Sequence, residues 1–314
     1  MDHGPGRGHL HLRQAGGKGL NPAYRSARGR SWPTRPFYDL PPAGADTAAF
    51  VIIPAPYEGT VSYGKGAAQG PRAILRASWE VEHYDLELGR DARPALASIP
   101  PLRLPPDPAR AIASVERAAT KILDQGQRPL LLGGEHSLSL GAIRAVQRQH
   151  PHLTVLHLDA HADRRDHYDG LSLSHACVMR RVTELGLPVV SVGVRSLCQE
   201  EQEWIRKHRQ KVFWANEINP KSGWTKAVLQ SLGREVYLSL DVDVLDPSEM
   251  PATGAPEPGG LSYLDLLDLF RRLGASRKNI VGLDLVELAP IPGLHAPDFL
   301  CARLLFFLLA RLRP

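Results

Sequence analysis

The stretch Thr-Val-Leu-His-Leu-Asp-Ala-His-Ala-Asp at residues 154 to 163 joins an apolar run to a set of polar side chains. Residues 154 to 158 have the length and apolar character of a buried strand. Because side chains alternate along extended backbone, Asp159, His161 and Asp163 are expected on one side of the segment that follows. Three polar groups therefore face one point at the end of a strand.

Two other apolar runs lead into polar residues in the same way: Leu-Leu-Gly-Gly-Glu-His at 131 to 136 and Leu-Ser-Leu-Asp-Val-Asp at 238 to 243. Asp241 and Asp243 repeat the spacing of two, and His136 follows a Gly-Gly pair that would let the backbone pass close to a ligand. In open parallel sheets, ligands bind at the carboxyl ends of the strands. We therefore expect all six side chains to converge on one edge of a sheet.

Around these motifs, short apolar runs alternate with longer segments of helical period, which indicates an α/β fold with a parallel sheet covered by helices on both faces. No internal repeat or linker interrupts this pattern from about Ala48 onward. The predicted strands cover residues 50 to 54, 129 to 132, 154 to 158, 189 to 192, 212 to 214, 236 to 240 and 280 to 283. The predicted helices cover residues 71 to 78, 108 to 125, 138 to 149, 175 to 185, 200 to 208, 224 to 233, 263 to 273 and 296 to 311.

Charge divides the chain into two parts. Residues 1 to 36 hold seven basic side chains and one acidic side chain, a net charge of +6, whereas the whole chain of 314 residues carries +5. The rest of the chain is therefore not basic, which argues against nucleic-acid binding by its body. We interpret residues 1 to 40 as a disordered basic extension and residues 41 to 314 as one domain.

Cysteine content and hydropathy bear on the compartment. The three cysteines form no CxxC pair or even-numbered framework, which is typical of reduced thiols in a cytoplasmic protein. No stretch reaches the roughly 20 apolar residues of a membrane span, since Arg303 and Arg311 interrupt the longest candidate. We expect a cytoplasmic protein that does not bind a membrane.

The six converging side chains have the chemistry of a metal site. Four carboxylates and two imidazoles without a thiolate favour a hard or borderline ion such as Mn²⁺ over structural Zn²⁺. Four ionised aspartates together need two divalent cations for balance, and two such ions, about 3.5 to 4 Å apart, lower the pKa of a shared water. A single histidine or Asp-x-Asp pair is often only structural, but three motifs on strand ends together predict a binuclear centre that activates water.

These motifs resemble the signatures of the ureohydrolase family, which includes arginase and agmatinase, from about Ala55 to the C-terminus. The matching segments are Gly-Gly-Glu-His-Ser at 133 to 137, Asp-Ala-His-Ala-Asp at 159 to 163, Ser-Leu-Asp-Val-Asp-Val-Leu-Asp-Pro at 239 to 247 and Pro-Glu-Pro-Gly-Gly-Leu at 256 to 261. The last segment, with Pro-Tyr-Glu-Gly at 56 to 59 and Ser-Tyr-Gly-Lys-Gly at 62 to 66, is more similar to agmatinases than to arginases. The resemblance implies an arginase-like fold of three α/β/α layers with about eight parallel strands, two Mn²⁺ ions per subunit and a homo-oligomer, a trimer or hexamer.

By the same resemblance, one ion would be held by His136, Asp159, Asp163 and Asp241, and the other by Asp159, His161, Asp241 and Asp243. Glu287 matches the carboxylate that binds the guanidinium of the substrate, and His175 matches the active-site histidine assigned to proton transfer. We count Asp163 with these two as catalytic. His167 competes with His175 for its role, but its charged loop predicts exposure to solvent.

The loop from residue 164 to residue 174 decides the substrate. It offers Asp166, Tyr168 and Asp169 to a distal ammonium group, and it lacks the asparagine-containing loop with which arginase grips the amino-acid end of its substrate. Agmatine, hydrolysed to putrescine and urea, fits best, although an acidic pocket alone is equally compatible with aminopropylagmatine, hydrolysed to spermidine and urea. Arg164 or Arg165 in the cavity would instead favour a carboxylate such as guanidinobutyrate, and arginine is a further alternative.

Three other classes of protein compete with this interpretation. A metal-dependent deacetylase shares the architecture but typically uses one zinc with an Asp-His-Asp set, whereas both double-aspartate motifs and His136 are present in this chain. A catalytically silent metal-binding protein would have lost Glu287, His175 or a ligand, and none is missing. Nucleic-acid binding through the basic extension would vanish on deletion of residues 1 to 36 while hydrolysis persisted.

Overall fold

The computed structural model describes residue 1 and residues 32–40, 48–219 and 222–312. Within these ranges the strands are β1 (Phe50–Ala55), β2 (Tyr84–Asp85), β3 (Arg90–Asp91), β4 (Leu96–Ser98), β5 (Arg128–Gly133), β6 (Thr154–Leu158), β7 (Val189–Val194), β8 (Lys211–Trp214), β9 (Glu235–Asp241) and β10 (Asn279–Val286). Eight of them pair in parallel in the order β4-β1-β5-β10-β9-β6-β7-β8. Strands β2 and β3 form a separate antiparallel hairpin.

The helices in these ranges are α1 (Gly70–Ser78), α2 (Pro108–Leu123), α3 (Ser139–Gln149), α4 (Val178–Glu184), α5 (Gln199–Lys207), α6 (Trp224–Ser231), α7 (Tyr263–Ala275) and α8 (Ala296–Leu309). Successive side chains of a strand point to opposite faces of the sheet, so Ile52 belongs to the hydrophobic cluster that includes α1, α6, α7 and α8, and Ile53 belongs to the cluster that includes α2, α3 and α4. The predicted three layers are therefore present. None of the helices found in the described part of the chain is long and apolar enough to cross a membrane.

The predicted elements agree closely with the observed ones. All seven predicted strands and all eight predicted helices are present, with ends that differ by at most three residues. Strand β4 and the hairpin of β2 and β3 were not predicted, because strands of two or three residues are too short to show a period. The first three residues of the helix predicted from residue 175 form a 3₁₀ turn, His175–Cys177, and α4 follows it.

The strand order explains why distant motifs meet. Strands β5, β10, β9 and β6 are neighbours in the middle of the sheet although long segments separate them in the chain. His136 follows β5, Glu287 follows β10, Asp241 ends β9 and Asp159 follows β6. Because these strands are parallel, their carboxyl ends lie at one edge of the sheet, and the four side chains are brought together there.

The segment of residues 32–40 packs onto the domain, which corrects the predicted boundary at residue 40. Tyr38 is fully buried, and its hydroxyl donates to the carbonyl oxygen of Ala302 on α8 at 2.9 Å. Phe37 is buried in the same hydrophobic cluster. The folded part therefore begins before residue 41, and residues 2–31 of the predicted extension lie outside the described residues.

A buried ion pair ties the hairpin of β2 and β3 to the end of α8. Arg311 donates to both carboxylate oxygens of Asp85, at 2.7 and 3.0 Å, and these bonds lower the pKa of Asp85 to about 2. A lowered carboxyl pKa means that the ionised form stabilises the folded state. We therefore expect Asp85→Asn to lower the free energy of unfolding by about 2 kcal/mol at neutral pH.

The pH dependence of this loss has a definite sign. The stabilisation is fully present above the unfolded-state pKa of about 3.9, and it is lost as the pH falls through the folded-state value of about 2. Urea unfolding of the wild type and of Asp85→Asn should show a difference in free energy of unfolding that is constant near neutral pH and decreases below about pH 4. Asp91→Asn, which breaks an exposed pair with Arg93 in the same hairpin, is the control and should cost less than about 1 kcal/mol. A difference in free energy of unfolding that does not change with pH would show that the stabilisation does not come from the ionised carboxylate of Asp85.

Candidate metal centre

Six polar side chains meet at the carboxyl edge of the sheet. They come from three places: the residues after β6, the end of β9 with the 3₁₀ turn Val242–Val244, and the 3₁₀ turn His136–Leu138 after β5. Five of them are buried, and the side chain of the sixth, His161, is 28% exposed. The six are the ligands predicted from the sequence motifs: His136, Asp159, His161, Asp163, Asp241 and Asp243.

The ring nitrogen Nδ1 of His136 lies at the centre of one half of this cluster. It is 3.1 Å from an oxygen of Asp159, 3.1 Å from an oxygen of Asp163 and 3.4 Å from an oxygen of Asp241. This buried nitrogen nevertheless has no hydrogen-bond partner in the described part of the chain. One nitrogen and three carboxylate oxygens therefore surround a common point.

The contact made by Nε2 of His136 determines which ring nitrogen carries the proton. Nε2 of His136 lies 2.9 Å from the hydroxyl of Ser239, and that hydroxyl donates to Asp284 at 2.9 Å. Because the hydroxyl has a single proton and gives it to Asp284, Nε2 of the neutral ring is the donor to Ser239. The lone pair of Nδ1 then faces the three carboxylates, in the orientation that a metal-ligating histidine has.

The electrostatics of the cluster favour the binding of a cation. Burial, and then the charges of Asp243 and Asp159, raise the pKa of Asp241 well above its ordinary value. Burial opposes a charge on His136, but the aspartates that surround Nδ1 outweigh burial and raise the pKa of the imidazole well above its ordinary value. Since buried carboxylates without counter-charge are costly, the residues fit a divalent ion.

The second half of the cluster is built around His161. Its Nδ1 lies 2.8 Å from Asp243 and 3.6 Å from Asp159. Burial lowers the pKa of His161, but the two carboxylates outweigh burial and raise it to about 12. Two sets of side chains in the described residues lie close enough to hold an ion each, and they share Asp159. The sets are His136, His157, Asp159 and Asp163, and Asp159, His161 and Asp243.

His157 belongs to the cluster although the sequence analysis did not single it out. Its Nε2 lies 2.8 Å from Asp159, and its Nδ1 lies 3.0 Å from the hydroxyl of Ser191 on β7. Residue 157 precedes Asp159 by two positions, so strand alternation places both side chains on the same face of the sheet. This spacing is the signal that could have found it, and His157 supports Asp159 as outer partners of metal ligands do.

A cavity of about 250 Å³ opens onto the cluster. Five of the six predicted ligands line it, and the fully buried Asp159 lies beneath them. His175, Tyr168, Arg165 and Glu287 also line the cavity. A volume below the usual range of drug-sized pockets suits a small substrate.

Glu287 contributes a buried carboxylate to the cavity. Its Oε1 accepts the backbone N–H of His136 at 2.7 Å, which places Glu287 beside the first ligand. Burial, and then the charges of Glu135 and Asp243, raise the pKa of Glu287 to about 8. A carboxylate fixed in this way can bind a planar cation through two parallel hydrogen bonds.

Two residues of the cavity have left-handed backbone. Asp163 has a φ of 54° and Glu287 a φ of 65°, in a region that residues other than glycine seldom adopt. Each such conformation costs about 1 to 3 kcal/mol and persists only where its surroundings hold it. The backbone N–H of Glu287 donates to the carbonyl oxygen of Gly134 at 2.8 Å, and this bond is part of what holds it.

His175 also lines the cavity, at the start of the 3₁₀ turn before α4. Its ring meets the edge of Tyr168, with centroids 5.5 Å apart. The hydroxyl of Thr60, a residue that the sequence analysis missed, lies 3.2 Å from its Nδ1. The structure therefore brings His175 and Tyr168 together with the predicted ligands.

The acidic residues of the substrate loop are placed differently. Asp166 forms an ion pair with Arg181 on α4, and Asp169 is exposed in a turn with a φ of 49°. Neither residue lines the cavity, so their predicted contact with the substrate gains no support. His167 is exposed, as expected from its sequence context.

Of the two arginines in the loop, Arg165 lines the cavity and Arg164 does not. Arg164 is fully buried, and its guanidinium donates to the carbonyl oxygen of Ala162 and to the hydroxyl of Ser191. The guanidinium of Arg165 lies over the ring of Tyr168, 5.0 Å from its centroid. A positive charge therefore borders the cavity beside Tyr168.

The Gly-Gly pair before His136 has a different purpose from the one predicted. A Cβ atom on Gly134 would lie 1.8 Å from the carbonyl oxygen of Tyr57, so glycine is required for two backbone segments to approach. The backbone N–H of Glu135 donates to the same oxygen at 3.1 Å. This contact holds the turn after β1, which contains Thr60, against the turn that begins at His136.

Comparison with known proteins agrees with the site. The model of the arginase family matches residues 48–310. The N(1)-aminopropylagmatine ureohydrolase of Synechocystis sp. is 40% identical over 272 residues, 83% of this chain and 88% of that protein. The agmatinase of Bacillus anthracis is 39% identical over 249 residues, 77% of this chain and 83% of that protein. The agmatine ureohydrolase structure of Thermoplasma volcanium superposes with a TM-score of 0.80 and 30% identity, over 92% of this chain and 97% of that one.

A parallel α/β sheet with aspartates and histidines at its carboxyl edge and a small cavity above them defines a metal-dependent hydrolase. The chain belongs to the arginase family, and it is a ureohydrolase. The predicted family and the predicted α/β/α fold are thus confirmed.

Proposed function

We propose that the protein hydrolyses the guanidino group of agmatine and releases urea and putrescine. The observation that carries this proposal is a cavity of about 250 Å³ in which aspartates and imidazoles converge beside the carboxylate of Glu287. Relatives named agmatinase and N(1)-aminopropylagmatine ureohydrolase support a guanidino-amine as the substrate.

Two Mn²⁺ ions per subunit are part of the same proposal. The donors are carboxylate oxygens and imidazole nitrogens without a thiolate, a set that suits Mn²⁺ better than structural Zn²⁺. When bound, the two ions make hydroxide available near neutral pH by lowering the pKa of a water molecule. One ion would be held by His136, Asp159, Asp163 and Asp241, and the other by Asp159, His161, Asp241 and Asp243.

Glu287 would bind and orient the guanidinium. One of its oxygens already accepts the N–H of His136, which fixes the plane and position of the carboxylate relative to the ligand cluster. A guanidinium held by two parallel N–H···O bonds presents its central carbon in a single orientation. Because Glu287 is fixed beside His136, the carbon would lie near the aspartates and histidines.

Hydrolysis also requires proton transfer to the leaving nitrogen. The oxygen of water bonds to the guanidino carbon, the bond from that carbon to the alkyl-bearing nitrogen breaks, and both protons of the water end on the departing amine. His175 would relay one of them, because it lines the cavity and Nδ1 faces away toward Thr60. Asp163, whose carboxylate also lines the cavity, would pass the other.

A longer amine is the second candidate substrate. The relative from Synechocystis sp. is named for aminopropylagmatine, and Tyr63, which lines the cavity, is 81% exposed at its mouth. We propose that an aminopropyl extension would project toward this exposed ring. Arg165 beside Tyr168 instead favours a substrate with a distal carboxylate, such as guanidinobutyrate.

Replacing Arg165 by methionine tests which distal charge the cavity accepts. The nearest carboxylate, that of Glu201, is 3.9 Å from its Nε, so the guanidinium is only partly balanced. Loss of this positive charge should raise kcat/KM for agmatine relative to guanidinobutyrate by at least about tenfold, because at an effective dielectric of about 20 one unit charge changes the interaction with a distal charge by about 1.4 kcal/mol even at about 12 Å. Arg117→Met on the surface of α2 is the control and should leave the ratio unchanged. An unchanged ratio in Arg165→Met would show that Arg165 does not face the distal end of the substrate.

The proposed activity is tested by urea release from the Mn²⁺-loaded protein with agmatine, aminopropylagmatine, arginine, guanidinobutyrate and free guanidine. We expect the highest kcat/KM for agmatine, with aminopropylagmatine as the main competitor. Preference for arginine would contradict the interpretation of the loop. Bound metal without urea release from any of the five compounds would overturn the proposed reaction.

The assembly and the compartment belong to the same proposal. A trimer or hexamer in the cytoplasm is expected, and all three cysteines of the chain are free thiols in the structure. Sedimentation equilibrium of the Mn²⁺-loaded protein measures the number of subunits directly, and a monomer would contradict the proposed oligomer.

A further inference from the structure

Thr60 links three parts of the chain that lie far apart in sequence. It belongs to the turn after β1, and its hydroxyl donates to Oε1 of Glu135 at 2.6 Å. The same hydroxyl oxygen lies 3.1 Å from the backbone N–H of His175, which donates to it, and 3.2 Å from Nδ1 of that residue. Thr60 is 9% exposed, and Glu135 is fully buried.

Glu135 is a buried carboxylate whose partners are all donors. Its Oε2 accepts the backbone N–H groups of Gly59 and Thr60, at 2.7 and 2.6 Å. Its Oε1 accepts the hydroxyl protons of Thr60 and Ser137, at 2.6 and 2.5 Å. These four accepted hydrogen bonds hold the carboxylate of Glu135 in place, and the bond from Thr60 holds its hydroxyl in one orientation.

The single proton of the Thr60 hydroxyl then determines the tautomer of His175. A hydroxyl has one proton and two lone pairs, and Thr60 gives its proton to Glu135. Both bonds that it forms with His175 must therefore be accepted, one from the backbone N–H and one from a proton on Nδ1. The neutral ring carries its proton on Nδ1 and keeps the lone pair on Nε2.

We propose that Thr60 is a positioning residue for His175: held by Glu135, its hydroxyl selects the Nδ1–H tautomer and turns Nε2 toward the cavity. The proposal rests on the proposed function, in which His175 relays a proton. In the described part of the chain Nε2 has no hydrogen-bond partner, so it is the ring nitrogen left for the substrate. This arrangement is the counterpart of the outer partners that orient the histidines of metal sites.

The two hydrogen bonds of Thr60 to His175 act on one rigid group. The backbone bond places the start of the turn His175–Cys177, and the bond to Nδ1 sets the rotation of the ring. The other ring contact, the edge of Tyr168 at 5.5 Å, limits the ring sterically but does not distinguish its two nitrogens. Selection of the tautomer therefore falls to the hydroxyl of Thr60.

Comparison of Thr60→Val with Thr60→Ser tests the role of the hydroxyl, because valine has the shape of threonine without it and serine keeps it. In the Mn²⁺-loaded enzyme with agmatine, Thr60→Val should lower kcat by about 10- to 100-fold and leave KM within about threefold, since orientation of a proton-transfer group acts on turnover. Thr60→Ser should recover most of the lost kcat. Equal losses in the two variants would overturn the proposal.

A double-mutant cycle separates positioning of the ring from a merely structural role. If Thr60 acts through the imidazole, adding Thr60→Val to His175→Ala should change kcat by less than about threefold, because the ring on which Thr60 acts is gone. If Thr60 had only a structural role, Thr60→Val would lower kcat in the His175→Ala protein by the same factor as in the wild type. Metal content should equal that of the wild type in all variants, since neither residue belongs to the predicted ligands.

The tautomer has a readout that does not depend on activity. Long-range proton–nitrogen NMR of histidine-labelled protein, loaded with diamagnetic Zn²⁺ and assigned by loss of the signal in His175→Ala, shows which ring nitrogen is protonated. We expect a protonated Nδ1 in the wild type and a change of tautomer or a mixture in Thr60→Val. An Nε2–H tautomer in the wild type would refute the proposal even if the enzyme hydrolyses agmatine. A protonated Nδ1 in an inactive protein would refute the proposed function alone.

Discussion

Asp241→Ala should abolish binding of both divalent ions and lower urea release by at least about 1,000-fold, the loss expected when metal-assisted catalysis is removed. Asp241 ends β9, and one of its oxygens lies 3.4 Å from the Nδ1 of His136 that has no hydrogen-bond partner. Its other oxygen accepts the backbone N–H of Asp243 at 2.9 Å. The family resemblance assigns this carboxylate to both ions, so its loss should affect both.

The stability of the metal-free protein distinguishes a ligand from a structural residue. Burial, followed by the charges of Asp243 and Asp159, raises the pKa of Asp241, so an ionised carboxylate at this position is unfavourable without a cation. The metal-free Asp241→Ala protein should therefore unfold at a temperature at least as high as the metal-free wild type. Added Mn²⁺ should raise the unfolding temperature of the wild type and not that of the variant.

Asp268→Ala is a suitable control for this experiment. It makes the same change on the surface of α7, where the aspartate pairs with Arg272 and both side chains are about half exposed. Such a pair contributes less than about 1 kcal/mol, so metal content and activity should be retained. Metal analysis by mass spectrometry and urea release together decide the result. An active Asp241→Ala protein that contains two ions would refute the bridging assignment.

Glu287→Gln should keep both ions and lower kcat/KM by about 100- to 1,000-fold, because about 3 to 4 kcal/mol of charge-assisted hydrogen bonding to the guanidinium is lost. Glutamine keeps an oxygen that can accept the backbone N–H of His136, the bond that Glu287 makes at 2.7 Å. Burial raises the pKa of Glu287 to about 8, so removal of its charge does not cost stability. The variant should therefore fold and bind metal as the wild type does.

Glu257→Gln provides the matched control for Glu287→Gln. Glu257 accepts the hydroxyl of Ser196, a residue of the cavity wall, at 3.1 Å, but it does not line the cavity itself. The same single-atom change should leave kcat/KM within about fivefold, since one hydrogen bond contributes only about 1 kcal/mol. Retained turnover in Glu287→Gln would remove this residue from guanidinium binding. Loss of metal would instead indicate that the carboxylate supports the His136 turn.

Local pattern was sufficient to predict the elements and the six side chains that meet at the carboxyl edge of the sheet. The alternation in residues 154 to 163 requires only that the backbone be extended, and it places Asp159, His161 and Asp163 on one side without knowledge of any distant contact. The same reasoning applies to Asp241 and Asp243. It would also have included His157, two residues before Asp159, had the alternation been followed into the strand itself.

Contacts between distant segments could not be predicted in this way. Asp166, Asp169 and the two loop arginines have similar sequence contexts, yet Arg165 borders the cavity, Arg164 is buried against Ser191, and the acids lie outside the lining. Their positions depend on how the loop packs on α4 and β7, and several packings share one local sequence. The boundary at residue 40 was wrong for the same reason, because Tyr38 is buried by α8 at the far end of the chain.

The sequence by itself determined the order of strands and helices, the side of each strand on which a carboxylate or imidazole lies, and the six side chains proposed as ligands. These properties follow from the periods with which side chains repeat along helices and strands, and such periods can be recognised within a few residues. The tertiary structure alone decided that β5, β10, β9 and β6 are neighbours, and that Thr60 and Glu135 meet His175. Those contacts depend on strand order and close packing between distant segments, which no local period encodes.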